Sequence, residues 1–256
     1  MKSILALGLA CMTTSLTINS ATAAEDTRVF EMRIYYANAG KLNDLNARFR
    51  DHTCKLFEKH GMQNIGYWVP LENPDEKLVY VLGFPSREAR DASFKAFGND
   101  PAWKEAAKKS EANGPLVKKI ENFFLTATDY SPAIKALVAN PERTFELRTY
   151  LTTDGNLGRL DARFRDHTIK LFTKYGMENL AYWHLTPDQK DADKTMLYIL
   201  AHKSKDAAAE SFKKFRDDPE WMAARKASEE AGKGSLTAQG GVKSEFMKPT
   251  DYSQTK

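Results

Sequence analysis

The sequence predicts an α+β fold of two tandem ferredoxin-like βαββαβ domains, closing on each other as an intrachain, pseudo-dimeric α/β barrel. Three observations predict it. The chain repeats itself, each copy reads as strand-helix-strand-strand-helix-strand, and that order leaves one sheet face of each copy without a helix to cover it.

The repeat appears when the sequence is slid on itself by 115 residues, which sets Arg28 on Arg143 and Trp68 on Trp183. That window of 41 residues holds 24 identities, with FEMRIYY at Phe30 answered by FELRTYL at Phe145 and ARFRDHTCKLFEKHGM at Ala47 by ARFRDHTIKLFTKYGM at Ala162. A three-residue insertion near Asp188 to Asp193 moves the offset to 118, so that Asp100-Pro101-Ala102-Trp103 meets Asp218-Pro219-Glu220-Trp221. The division that follows is a leader over 1–24, one domain over 28–130, a linker with Pro132 and Pro141 over 131–142, and a second domain over 143–252.

Within a copy, Val29 to Tyr36 alternates Phe30, Met32 and Ile34 with Glu31, Arg33 and Tyr35, the pattern of a strand with one polar face. Leu42, Leu45, Phe49, Leu56 and Phe57 recur at helical spacing and Gly61 supplies a left-handed stop, so a helix is predicted over 41–60. Strands follow at Asn64 to Pro70 and Leu78 to Phe84, joined by an Asn73-Pro74-Asp75 turn. Helices are predicted over 87–97 and 102–112, the second with Asp100 as cap and Pro101 in its first position, and Lys119 to Thr126 closes the copy as a strand.

Hydrophobic residues make up 42% of the 256-residue chain and charged ones 28%, which excludes whole-chain disorder, collagen and coiled coil. The net charge of +4, or +3 once Lys2 leaves with the leader, is too small to point to nucleic acid. Lys2, the apolar run Ile4 to Met12 and the small residues Ala21-Thr22-Ala23-Ala24 read as a secretory signal peptide, so the expected location is the periplasm or the medium. No stretch reads as a membrane span. A lipid anchor on Cys11 is the competing reading, and Gly8-Leu9-Ala10 lacks the aliphatic residue it calls for. Cys54 is the one other cysteine, so no disulfide framework exists, and its alignment with Ile169 marks a small buried hydrophobe.

No GxSxG, HExxH, P-loop or GxGxxG occurs, and nothing in the histidine spacing recommends a metal or haem, so no cofactor is implied. Arg33 and Arg148 are the leading site candidates: a cation projecting from a strand into an enclosed barrel must meet a carboxylate or an anionic ligand. The apolar alternates are needed under the helices, so Glu31, Arg33, Tyr35 and Glu146, Arg148, Tyr150 are expected to line the barrel interior or its mouth and form a small-molecule site; the bland reading is that Glu31 and Glu146 pair with the arginines internally. His52 and His167 fall at the margin of the helix's apolar stripe, about 60° from its centre at 100° per residue, where an imidazole serves as a base or merely ties the helix to a strand carbonyl. Trp68 and Trp183 stack on a planar ligand or pack the sheet interface.

The ordered motifs E-x-R-x-Y, F-R-D-H-T-x-x-L-F-x-K-x-G-M, [GA]-Y-W and D-P-x-W occur in both copies and resemble the NIPSNAP family, over nearly all of 28–130 and 143–252. The resemblance implies a domain of the dimeric α/β barrel group. That group includes cofactor-free oxygenases, small-molecule isomerases and haem enzymes, a fold-level analogy only. Three classes of function follow: an exported module binding a small, anionic organic ligand; a cofactor-independent oxygenase or isomerase with His52 or His167 as base; and a structural element with strand edges open to further homo-oligomeric assembly.

Overall fold

The structure is a computed structural model that describes residues 26–136, 138 and 142–256. The expected leader, with Cys11, and Pro141 of the linker lie outside the described residues. The first half comprises β1 (Val29–Ala37), α1 (Leu42–Arg48), α2 (Cys54–Lys59), β2 (Gln63–Pro70), β3 (Lys77–Phe84), α3 (Arg87–Asn99), α4 (Pro101–Ser110) and β4 (Val117–Ala127). The second repeats it as β5 (Thr144–Thr152), α5 (Leu157–Arg163), α6 (Ile169–Lys174), β6 (Glu178–Leu185), β7 (Thr195–His202), α7 (Lys205–Arg216), α8 (Pro219–Ala231) and β8 (Thr237–Pro249). The insertion near Asp188 forms a short 3-10 turn, Ala192–Lys194, entered through Asp191 at φ 60°.

The eight strands form one closed barrel in the order β1-β3-β2-β8-β5-β7-β6-β4. All pairings are antiparallel, and the two halves join edge to edge along β2–β8 and β4–β6, each seam only three residue pairs long. Between the seams the apolar alternates of both sheets fill the interior. Phe30, Met32, Trp68, Phe145 and Trp183 belong to one core, in which Phe30 meets Trp183 at 6.0 Å and Trp68 meets Phe145 at 5.6 Å across the halves. Helices and outer sheet faces enclose a separate core in each half, around Phe49 and Tyr80 in the first and Phe164 and Tyr198 in the second.

This reverses the expected facing of the first strand. Phe30, Met32 and Ile34 point into the barrel, whereas Tyr35 packs on Phe49 of the helix layer and Arg33 lies over Phe94 of α3 at 5.0 Å. The reason is access to water. A closed barrel interior is walled by strands on every side, so a charge placed there finds neither solvent nor helix side chains. The gap between sheet and helices opens at its ends, and the helices supply counter-charges and ring faces.

The predicted single helix over 41–60 is broken by a π-helical turn, Phe49–Thr53, with its twin at Phe164–Thr168. Each turn releases a carbonyl, and the threonine that ends it answers: Thr53 Oγ1 donates to the Arg48 carbonyl at 3.1 Å and Thr168 Oγ1 to that of Arg163 at 3.0 Å. Gly61 and Gly176, at φ 78° and 77°, end the helix as expected. Among the described residues no helix is long and apolar enough to cross a membrane.

Candidate functional site

Glu31 is fully buried between β1 and α3 and receives two guanidinium groups: Arg33 Nη1 at 2.5 Å, and Arg90 through Nε at 2.7 Å and Nη2 at 2.8 Å. Burial alone would lower the Arg33 pKa, but the oxygens of Tyr80, Tyr35 and Glu31 outweigh it and raise the value. The bland reading, an internal ion pair, is what this half contains. In the second half Ala208 replaces Arg90, and Glu146 is held instead by Arg148 Nη1 at 2.6 Å, by His202 Nε2 at 3.1 Å and by the Ser244 hydroxyl. Burial opposes ionisation of Glu146; His202, Arg148 and Ser244 together hold its carboxyl below the ordinary carboxylate range. The two triads sit in the separate sheet-helix gaps of their halves. They do not converge on one site inside the barrel.

Beside Arg148 the gap of the second half widens into a cavity of about 270 Å³. Its floor is β5 with Arg148 and Tyr150, and its apolar wall is Phe164, Phe172, Phe212, Phe215 and Trp221 from the helix layer. Four arginines, Arg148, Arg163, Arg216 and Arg225, line it against a single carboxylate, Glu229. Thr237 and Val242 of β8 complete the rim, where Gly240 adopts φ 68° beside the register shift between Tyr150 and Thr152.

Arg163 is the least neutralised of the buried cations. It is the last residue of α5, directly before the π-turn, and only 8% exposed. Its Nη1 donates to Ser228 Oγ at 3.3 Å and stands 4.0 Å from Glu229, with the Trp221 ring 5.1 Å from its guanidinium carbon. Burial lowers its pKa and Glu229 offsets this only in part. A buried guanidinium with one long hydrogen bond beside an aromatic-walled space is suited to an anion that carries a ring.

The remaining predicted residues lie elsewhere. His52 is exposed, and His167, 39% exposed at its side chain, faces Glu220 at 3.1 Å on the outer surface of the helix layer. A margin position on the stripe holds only at 100° per residue, and the π-turn that carries each histidine breaks that register. Trp68 and Trp183 are fully buried in the barrel interior and line none of this cavity. Burial pushes the Cys54 thiol up to about 12, which leaves it an inert hydrophobe. Among the described residues no three His, Cys, Asp or Glu side chains are grouped to hold a metal ion.

Arg163, Arg216, Arg225 and Phe212 were not among the site residues expected from the sequence. Trp221 and Phe212 recur as Trp103 and Phe94, and Arg163 as Arg48, so repetition alone gave no sign of a site. The usable signal was where the copies differ: Arg216 stands opposite Gly98 and Arg225 opposite Ala107.

A two-domain α/β barrel with an arginine- and aromatic-lined cavity between sheet and helices is the class of protein that fold and site define. The NIPSNAP family model matches residues 30–132 and 145–254, and the chain belongs to that family. A NIPSNAP family protein of Agrobacterium tumefaciens, 24% identical, aligns over 41% of this chain and 98% of its own length with a TM-score of 0.38. Two further structures span both halves: a "putative monooxygenase" of Lactobacillus acidophilus, 11% identical over 88% of this chain and 94% of its own with a TM-score of 0.55, and an anthrone oxidase-like protein, 10% identical over 88% and 92% with a TM-score of 0.56. At such identities the likeness is one of fold. No curated protein matches the chain.

Proposed function

We propose that the second half binds a small aromatic acid, with its carboxylate or phenolate on Arg163 and Arg148 and its ring against Trp221 and Phe212. The observation that carries this is the under-neutralised, buried Arg163 facing a cavity lined with aromatic rings. The volume of about 270 Å³ equals roughly nine waters at ~30 Å³ each, room for one or two fused rings and an acid group. Export through residues 1–24 belongs to the same reading; a mature N-terminus near Glu25 on protein recovered outside the cytoplasm checks it.

Thermal shift and calorimetry with benzoate, salicylate and 2-naphthoate, each against its neutral amide, test the binding. A ligand at 100 times its Kd adds about 2.7 kcal/mol of stability, a rise of several degrees in Tm. Arg163→Gln should abolish the rise and leave the free protein's Tm within a few degrees. Equal binding of acids and amides, or no shift with any acid, defeats the proposal.

A second reading, an oxygenase acting on the bound ring, is favoured by the names of two structural relatives that span both halves. Neither His52 nor His167 lines the cavity, so Tyr150 or the substrate's own phenolate would have to carry the proton. Oxygen uptake stimulated by a bound naphthol acid would support this reading; binding without uptake leaves the first.

A further inference from the structure

We propose that Arg225 is a positioning residue: it holds Glu229 away from Arg163 and so makes an anion site of one half of a duplicated protein whose other half pairs the equivalent arginine, Arg48, with Glu111. The inference rests on the binding reading above for its functional meaning and on the geometry of two equivalent helix pairs for its mechanism.

In the first half, Arg48 Nη1 donates to Glu111 Oε1 at 2.9 Å and to Ser110 Oγ at 3.4 Å, over the Trp103 ring at 5.2 Å. Every one of these partners recurs in the second half, as Arg163, Glu229, Ser228 and Trp221. The serine and tryptophan contacts recur too, at 3.3 and 5.1 Å. Only the carboxylate has moved, to 4.0 Å and out of hydrogen-bonding range. Its Oε1 instead accepts from Arg225 Nε at 3.0 Å, one helical turn earlier, at the place where the first half has Ala107.

One carboxylate thus stands between two guanidinium groups, one buried and one 59% exposed. The i,i+4 spacing on α8 brings Arg225 within hydrogen-bonding reach of Glu229 and supplies a partner that Glu111 lacks in the first half. Without Arg225, Glu229 has no second cation at that distance and should close on Arg163 as Glu111 does on Arg48. The duplication has then kept this arginine, glutamate, serine and tryptophan in both halves, and a single alanine-to-arginine difference decides in which half the buried arginine lacks a hydrogen-bonded carboxylate.

Two measurements test this, one of which needs no ligand. A crystal structure of Arg225→Ala should show Glu229 within about 3 Å of Arg163; a separation still near 4 Å overturns the mechanism. Binding of 2-naphthoate should fall about tenfold or more in Arg225→Ala and recover in Arg225→Ala with Glu229→Gln, where no carboxylate remains to occupy Arg163. If the double variant stays as weak as the single one, Arg225 acts by direct contact and the inference fails. If the unaltered protein takes no naphthoate, the binding proposal fails, and the crystal structure still decides the Arg225–Glu229 coupling.

Discussion

A carboxylate removed from water is tolerable only with its charge and lone pairs answered, and Glu31 shows how tightly that constraint binds. With Arg33 and Arg90 both directed at it, removal of the carboxylate leaves two poorly solvated cations facing each other. Glu31→Ala should therefore cost about 3–5 kcal/mol in urea unfolding; a loss under about 1 kcal/mol would mean that the pair is solvated in the native state. Glu146 is secured differently, by His202 and Ser244 in place of a second arginine, although both halves share the Glu-x-Arg-x-Tyr pattern. The ionic pairing of Arg33 and Arg148 was legible from sequence, because a glutamate two positions away on a strand shares the same face. Which face that was could not be read, since alternation gives period without direction.

At the level of elements, the last helix of each half begins with the same device. Asp100 caps α4, accepting from the Ala102 N–H at 2.8 Å, and receives Lys59 at 2.7 Å and His60 at 2.8 Å from the end of the first helix. Asp218 does the same for α8, with Lys174 at 2.7 Å and Tyr175 at 2.6 Å. These partners hold both carboxyls well below the ordinary range, Lys59 and His60 leading at Asp100 and Lys174 and Tyr175 at Asp218. Because the folded pKa is depressed, the unfolded chain takes up protons first, and the stabilisation is complete above the unfolded value of about 3.9 and lost as pH falls below it. Tm measured from pH 6 to 2.5 should drop steeply below about pH 4, and Asp100→Asn with Asp218→Asn should flatten that drop. An unchanged slope would assign the acid sensitivity to other carboxylates. The cap itself was plain in D-P-x-W, but the reach of Lys59 and Lys174 across to it depends on how two helices pack. The π-turn was hidden for a related reason: FRDHT has ordinary helical composition, and what marks the extra residue is a threonine hydroxyl answering a displaced carbonyl.

On the scale of the molecule, the halves depend on each other through two short seams and a shared interior. A chain cut to residues 26–136 would leave β2 and β4 as open edges and Phe30, Met32 and Trp68 facing water. It should appear in light scattering as a dimer that rebuilds the barrel, or as aggregate; a folded monomer would show that the seams contribute little. The joined chain keeps its partner at high effective concentration, and duplication frees one copy to vary while the other keeps the frame. Duplication, strand order and closure into a barrel were all determined by the amino-acid sequence, because repeat, period and turn chemistry are local properties that survive without coordinates. Only the tertiary structure decided which strand face the barrel swallows and which of two equivalent arginines lacks a hydrogen-bonded carboxylate. Both depend on distances between elements far apart in the chain, where a shift of about 1 Å in a carboxylate separates a closed ion pair from an available cation.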